Sequence, residues 1–314
     1  MGATEPRPIE VLGEAEAAGC FALSAEAGWN QTADDWRLFA GRGTLFGVRD
    51  EAGRVIATAA LLPYGGGAAW ISMVLVTKSW QRRGLATALM GRCIAEADRV
   101  GWQTWLDATP AGATVYVPLG FQPVCDLVRV RRPPSRNAAA DPSPAGEGRV
   151  GEADRGGAGP AGDPHPARAA ARIRPPLQGR DRGGALVTLF ARDREALGID
   201  RATLIGCLAA RPDSILMGDE RACCLVRAGR AARHIGPVYG RDTNAAVRLV
   251  EQVAAVEPGE LILDVYANAA PLRAALERLG FSGERPFTRM RRGRGAGRAP
   301  LPALALAGAG PEYG

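Results

Sequence analysis

The order Leu106-Asp107 followed by Leu119-Gly120-Phe121 returns later in the same chain as Leu263-Asp264 followed by Leu279-Gly280-Phe281. A strand end, a helix and a glycine turn that recur in this way make the chain two copies of one α/β unit, as an ancient duplication produces. The copies are separated by residues 133–184, where Pro, Gly and Ala alternate with charges and aromatic or β-branched residues are almost missing. Such a stretch cannot bury enough apolar surface to order itself and is expected to be a flexible linker. The expected organisation is a first domain over 1–132, the linker over 133–184, a second domain over 185–292, and an Arg/Gly-rich stretch and tail over 293–314. At 314 residues the chain is long enough for each domain to have its own core.

Within the first copy, Ala15 to Leu23 and Thr32 to Ala40 have helical patterning, and Asp34 and Asp35 suit the first turn of the second helix. Thr44 to Arg49 and Arg54 to Pro63 read as strands joined by Asp50-Glu51-Ala52-Gly53, a hairpin loop with glycine. Ala69 to Thr77 is a strongly apolar third strand. It leads through a glycine-containing turn to a helix over Gly84 to Val100, then to a strand over Thr104 to Ala108 and a last strand near Pro123 to Arg131. Thr109-Pro110 marks the start of a short helix, as an N-cap followed by proline at the first helical position. In the second copy Ala222 to Ala228, Arg233 to Tyr239 and Glu260 to Tyr266 read as strands, with helices over Asp242 to Val256 and Ala270 to Leu279. The fold class is α/β with a mixed sheet.

The net charge of +6 does not point to a nucleic-acid partner. Eleven arginines against six acids lie between Arg129 and Gly183, so the excess gathers in and just before the Pro/Gly/Ala-rich segment rather than on a folded basic face. There is no apolar run of membrane-spanning length and no signal core behind Met1 to Glu10, so neither a membrane partner nor export is expected and a cytoplasmic location is. Cys20, Cys93, Cys125, Cys207, Cys223 and Cys224 form no CxxC pair, so neither a disulfide framework nor a metal site is expected.

The segment Gln81-Arg82-Arg83-Gly84-Leu85-Ala86 stands where the third strand turns into its helix. A helix N-terminus carries several unpaired N–H groups and a partial positive charge, which together favour a phosphate. Gly84 removes the side chain that would block approach, Ala86 keeps the next turn small, and Arg82 and Arg83 add charge-assisted contacts. A glycine at such a turn also serves purely structural ends, so the turn by itself leaves both readings open.

With its surroundings the segment resembles motif A of the GNAT superfamily of N-acetyltransferases, Gln/Arg-x-x-Gly-x-Gly/Ala after a long central strand. Gln81, Gly84 and Ala86 match its fixed positions, Trp70 to Val76 supplies the strand, and Tyr116-Val117-Pro118-Leu119-Gly120-Phe121 resembles the family's Tyr-x-x-x-Gly-Phe. The resemblance covers the first domain and, more weakly, the second, which is similar to the divergent acetyltransferase-like domain of one bacterial branch. It implies tandem GNAT-like domains and acetyl transfer from acetyl-CoA, a cosubstrate, to an amine-bearing small molecule or peptide by direct attack. A silent acetyl-CoA sensor is the alternative.

By the same resemblance, Val74, Leu75 and Val76 pair with the pantetheine arm, and Gln81 to Ala86 with Thr87 and Thr109 complete the cofactor site. Tyr116 is the proton donor to the departing thiolate. Trp29, Asn30 and Gln31 belong to the acceptor side. No acid lies within Ile71 to Val76, where many relatives have a glutamate, so Asp107 is the nearest candidate base; capping or pairing with Arg82 or Arg83 is its structural alternative. The second copy reads Tyr239-Gly240-Arg241-Asp242-Thr243-Asn244 at the matching turn and Leu276 in place of Tyr116. It is expected to have lost cofactor binding and to serve to complete the acceptor pocket, to pair with the first half as an internal pseudo-dimer, or to bind a regulator, with a homodimer also open.

Overall fold

Apart from Ser72, the run from Ala69 to Val76 is apolar at successive residues, a pattern suited to a strand covered on both faces. In the computed structural model, which describes residues 7–135, 182–295 and 297–314, it is the fourth strand of a 12-stranded sheet that passes through both copies. The first copy supplies β1 (Glu10–Leu12), β2 (Thr44–Arg49), β3 (Val55–Tyr64), β4 (Ala68–Val76), β5 (Gln103–Ala108) and β6 (Gln122–Arg132). Its helices are α1 (Ala17–Glu26), α2 (Ala33–Arg42), α3 (Leu85–Val100) and α4 (Pro110–Tyr116). The second copy supplies α5 (Arg182–Leu197), α6 (Ala202–Ala209), β7 (Ile215–Gly218), β8 (Ala222–Arg227), β9 (Arg233–Gly240) and α7 (Thr243–Val256). It continues with β10 (Leu261–Tyr266), α8 (Ala270–Arg278), β11 (Ser282–Arg292) and β12 (Ala305–Ala307). Most of the expected linker, 136–181, lies outside the described residues. Among the described residues no helix is long and apolar enough to cross a membrane.

Side chains alternate across the sheet and so divide the core. One face is shared by α1, α2, α5 and α6, where Trp36, Phe39, Trp70, Leu189, Leu204 and Tyr313 pack together across both copies. Leu89, Met90, Cys93, Ile94 and Ala97 lie three and four residues apart on α3, and they close a second core over β2 to β5. The strands of the second copy are closed by α7 and α8 in the same manner, through Val250, Val253, Leu272 and Leu276.

The two copies exchange their last long strands. β11 pairs antiparallel with β5, with Arg289 opposite Asp107, while β6 pairs antiparallel with β10, with Arg129 opposite Asp264. β6 and β11 pair with each other in the middle of the sheet. Residues 1–132 are therefore not a self-contained unit, because their last strand completes the other copy. Direct cross-strand register lets each arginine grip its carboxylate with two bonds, at 2.8 and 2.9 Å for Arg289 with Asp107 and 2.8 Å twice for Arg129 with Asp264. All four side chains are at most 9% exposed. Burial alone would raise the Asp264 carboxyl, but Arg129 and then the His234 hydrogen bond outweigh it and hold the group well below the usual carboxylate range.

Residues 293–314 are not a tail, which corrects the expected boundary at 292. β9 and β10 run parallel from Arg233 opposite Leu261 to His234 opposite Ile262 and then diverge. β12 fills the resulting fork, with Ala307 opposite Val265 on one side and Ala305 opposite Tyr239 on the other. Gly308 donates its N–H to the Asp264 carbonyl at 2.9 Å, and Gly240 donates to the Leu304 carbonyl at 3.0 Å. The approach is so close that a Cβ at Gly236 would stand 2.1 Å from the Gly308 carbonyl oxygen. Beyond β12 the chain enters the shared core. The Tyr313 ring stacks on Phe39 with centroids 5.2 Å apart, and its hydroxyl donates to Asp35 at 2.7 Å. Arg201 donates to the Tyr313 carbonyl at 2.7 Å, and Trp70 Nε1 donates to the Pro311 carbonyl at 2.9 Å.

A buried carboxylate deprived of its guanidinium costs about 3–5 kcal/mol, whereas an apolar pair of similar volume is nearly neutral. Arg289→Met should therefore lower the unfolding free energy by about that amount in urea titrations, and adding Asp107→Leu should restore most of it. Equal losses in the single and double variants would show that the pair does not hold the exchanged strand.

Candidate active site

The first copy has the same fork, and no described segment enters it. β4 and β5 pair in parallel from Ala68 opposite Gln103 to Trp70 opposite Trp105 and then separate. On its other edge β4 spends three steps, Ser72 to Leu75, where β3 spends two, Ala60 to Thr58. This is a β-bulge, marked by a φ of 53° at Met73, whose carbonyl accepts from Thr58 Oγ1 at 2.9 Å. A bulge bends its strand and re-aims the residues around it. Here Val74 comes to line the cavity that the fork opens.

From β4 the chain turns into α3. Glu26 ties this turn to α1, accepting from Lys78 N at 3.0 Å and Thr77 Oγ1 at 2.8 Å, and these bonds lower its pKa. Gln81 Nε2 donates to the Val76 carbonyl at 3.1 Å and closes the turn on itself. Arg82 and Gly84 follow at φ 59° and 80°, the left-handed region that glycine enters without strain. A Cβ at Gly84 would meet nothing within 4 Å, so the entrance to α3 is open. Ala88 donates to the Gly84 carbonyl at 3.0 Å, which leaves the N–H groups of Leu85, Ala86 and Thr87 in the unpaired first turn, at the positive end of the helix. Arg82 and Arg83 are exposed, and Arg83 lies over the Trp80 ring at 4.6 Å.

A cavity of about 290 Å³ joins the fork to this entrance and is lined by Trp29, Gln31, Val74, Ala86, Thr109 and Tyr116. The structure thus brings together residues that lie far apart in sequence. Leu75 is buried in the core, and Val76 lends its carbonyl to Gln81, so those two support the fork rather than line the cavity. Thr109 Oγ1 accepts from Gly112 N at 3.1 Å and caps α4. Tyr116 ends that helix, and a Cβ at Gly112 would stand 3.0 Å from its ring, so Gly112 gives the ring its position. Burial, with a smaller effect of Cys93, pushes the Tyr116 phenol up to about 12, which keeps its proton in place at neutral pH. A larger cavity, about 570 Å³, lies between α1, the β2–β3 hairpin and Trp80, away from Tyr116.

Two expectations are corrected. Asn30 does not face the acceptor, because its amide bonds the Ala231 and Ala232 N–H groups and the Ala232 carbonyl, each at 2.9 Å, and so joins the copies. Asp107 borders the cavity but pairs with Arg289, not with Arg82 or Arg83. Burial raises its carboxyl against the pull of Arg289, which would favour a base, but that guanidinium engages both its oxygens and leaves it poorly placed to accept a proton. The sequence reading also lacked Arg285, Phe287, Pro311 and Glu312, which line the same cavity from the second copy. Only the exchanged strand and the path of residues 308–314 bring them there.

At the matching turn of the second copy, Asp242 Oδ1 accepts from Asn244 N at 2.9 Å and Ala245 N at 3.1 Å. Its carboxylate thus occupies the α7 entrance that an anion would need, and β12 fills the fork.

Residues 15–121 match the acetyltransferase (GNAT) family model, and residues 189–299 match that of an acetyltransferase (GNAT) domain. The chain belongs to the GNAT superfamily, as two such domains in tandem, and is an acyl-CoA-dependent acetyltransferase. It is 22% identical over 280 residues to the uncharacterized N-acetyltransferase YitH of Bacillus subtilis (strain 168), with 86% of each chain covered. Its fold is that of a putative acetyltransferase from Pyrococcus horikoshii, with a TM-score of 0.69 and 16% identity over 100% of this chain and 98% of that one. A tandem GNAT protein from the clavulanic acid biosynthesis pathway has the same fold, with a TM-score of 0.56 and 15% identity over 93% and 99% of the two chains.

Gly84→Glu places a side chain and a like charge at the α3 entrance and is expected to abolish acetyl-CoA binding in calorimetry. Asp242→Ala is expected to leave the affinity unchanged. Equal losses in the two variants would contradict a single binding half.

Proposed function

We propose that the first copy binds acetyl-CoA along β4 and at the α3 entrance and transfers its acetyl group to a primary amine of a small molecule or peptide, by direct attack within a ternary complex. The observation that carries this reading is the shared cavity, in which the bulged strand at Val74, the helix entrance at Ala86 and the phenol of Tyr116 meet. The pyrophosphate fits the unpaired N–H groups of Leu85, Ala86 and Thr87, with Gln81 to Gly84 shaping the turn and Arg82 and Arg83 close enough to add charge. The pantetheine arm fits the open edge of β4 as an added strand would. Bound acetyl-CoA supplies the thioester at the centre of the cavity.

The neutral amine nitrogen attacks the thioester carbonyl carbon. As the N–C bond forms and the C–S bond breaks, the departing thiolate takes the Tyr116 proton. The proton released by the acylated nitrogen returns to the phenolate through solvent. Trp29 and Gln31 border the acceptor side. Asp107 has no part as base in this scheme, because Arg289 engages both its oxygens.

Thiol release from acetyl-CoA in the presence of an amine panel tests the reading. Tyr116→Phe should lower kcat by about 100-fold, the low end for a lost general acid, with acetyl-CoA affinity unchanged. With the phenol at about 12, the donor stays protonated throughout the assay range, so kcat should rise with pH as the acceptor ammonium is deprotonated and should not fall in the alkaline range below that value. Unchanged turnover in Tyr116→Phe would overturn the role of the phenol. Tight binding of acetyl-CoA with no thiol release from any amine would favour the sensor.

A further inference from the structure

The acceptor side of the cavity carries charges and dipoles that acetyl transfer alone does not require. Of the four charged residues that line it, Asp107 and Arg129 are locked in the bidentate pairs that join the copies. Glu312, 6% exposed, is held by Arg227 Nη2 through Oε1 at 2.5 Å. Arg285 differs. Its guanidinium forms only a long ion pair among the described residues, 3.6 Å from Glu284, whose other oxygen is held by Arg131 at 2.8 Å, and the head lies 6.0 Å from the Phe287 ring centroid. Two lining polar atoms, Gln31 Oε1 and Ser72 Oγ, have no hydrogen-bond partner among the described residues, although the residues are only 5% and 8% exposed. Buried polar groups of this kind are normally satisfied, so two in one cavity mark where a ligand's polar atoms go.

Resting on the acetyl-transfer reading above, we propose that the acceptor is a small zwitterion. Its ammonium is received by the Glu312 carboxylate and the Gln31 amide oxygen, and its anionic group is held by Arg285. Three features support this. The wall offers one cation, Arg285, whose carboxylate partner stands at 3.6 Å and is shared with Arg131, so an anion on the ligand would find a closer place on it. Glu312 and Gln31 present acceptor oxygens, which suit an N–H donor before it loses its proton. A cavity of about 290 Å³, shared with the acyl group, favours a compact acceptor over a folded protein surface. Glu312 is here a positioning residue. It draws the ammonium to the thioester, and the proton leaves the nitrogen to solvent before attack.

The test uses the full chain with acetyl-CoA and a panel of α-amino acids, each beside its decarboxylated amine. We expect amino acids to be acetylated with higher kcat/KM than the matching amines. Arg285→Gln should raise KM for the amino acids by at least about tenfold, the loss of one charge-assisted contact, with kcat little changed and the plain amines unaffected. Glu312→Gln, which keeps a hydrogen-bonding group against Arg227, should raise KM for both series while acetyl-CoA affinity stays near wild type, with a lower melting temperature because the buried Arg227 loses its carboxylate. The zwitterion assignment fails if plain amines match or exceed their parent amino acids, if Arg285→Gln affects both series equally, or if Glu312→Gln leaves KM unchanged. It also fails if no amino acid is acetylated while acetyl-CoA binds and other amines react. Failure of acetyl-CoA to bind at all would instead overturn the proposed function.

Discussion

Two buried guanidinium–carboxylate pairs, Arg289 with Asp107 and Arg129 with Asp264, fix the relation between the halves of this protein. Each joins an arginine on an exchanged strand to an aspartate on the strand that receives it, in direct register. A buried ion pair contributes little net stability but makes every arrangement that breaks it costly, and so it can serve specificity rather than strength. With the strands so placed, the twelve-stranded sheet has one continuous core face, and neither copy is complete alone.

From that constraint the difference between the two forks follows. Both copies let a central pair of parallel strands diverge after two or three residues, which leaves strand edges that need partners. In the second copy the chain meets this need itself, since β12 occupies the fork and Asp242 occupies the helix entrance. In the first copy no described segment occupies either place. The segment that closes one site runs on to line the other, because the residues after β12 pass through the shared core to set Pro311 and Glu312 at the cavity wall. The divergent half is thus not a spare domain but part of the wall of the first copy's cavity.

How much of this could be read from sequence depended on how local the signal was. The turn Gln81 to Ala86, the capping Thr109 and the helix end at Tyr116 are set by neighbours within a few residues, and their patterns identify them. The repeated Leu-Asp and Leu-Gly-Phe elements show the duplication for the same reason. Arg289, by contrast, finds Asp107 182 residues away across an exchanged strand, and no periodicity announces such a partner. Asn30 had the right polarity for an acceptor site, yet its bonds run to Ala231 and Ala232. Residues 305–307 are three small apolar residues in a stretch that looks like a tail, and they become a strand only because a fork of the right width waits for them.

Among the described residues one fork is open and the other is filled by the protein's own chain. Calorimetric titration of the full chain with acetyl-CoA tests this difference most directly, through the stoichiometry. The account predicts one acetyl-CoA per chain at saturation; two per chain, or binding that persists unchanged when the α3 entrance is blocked, would contradict it.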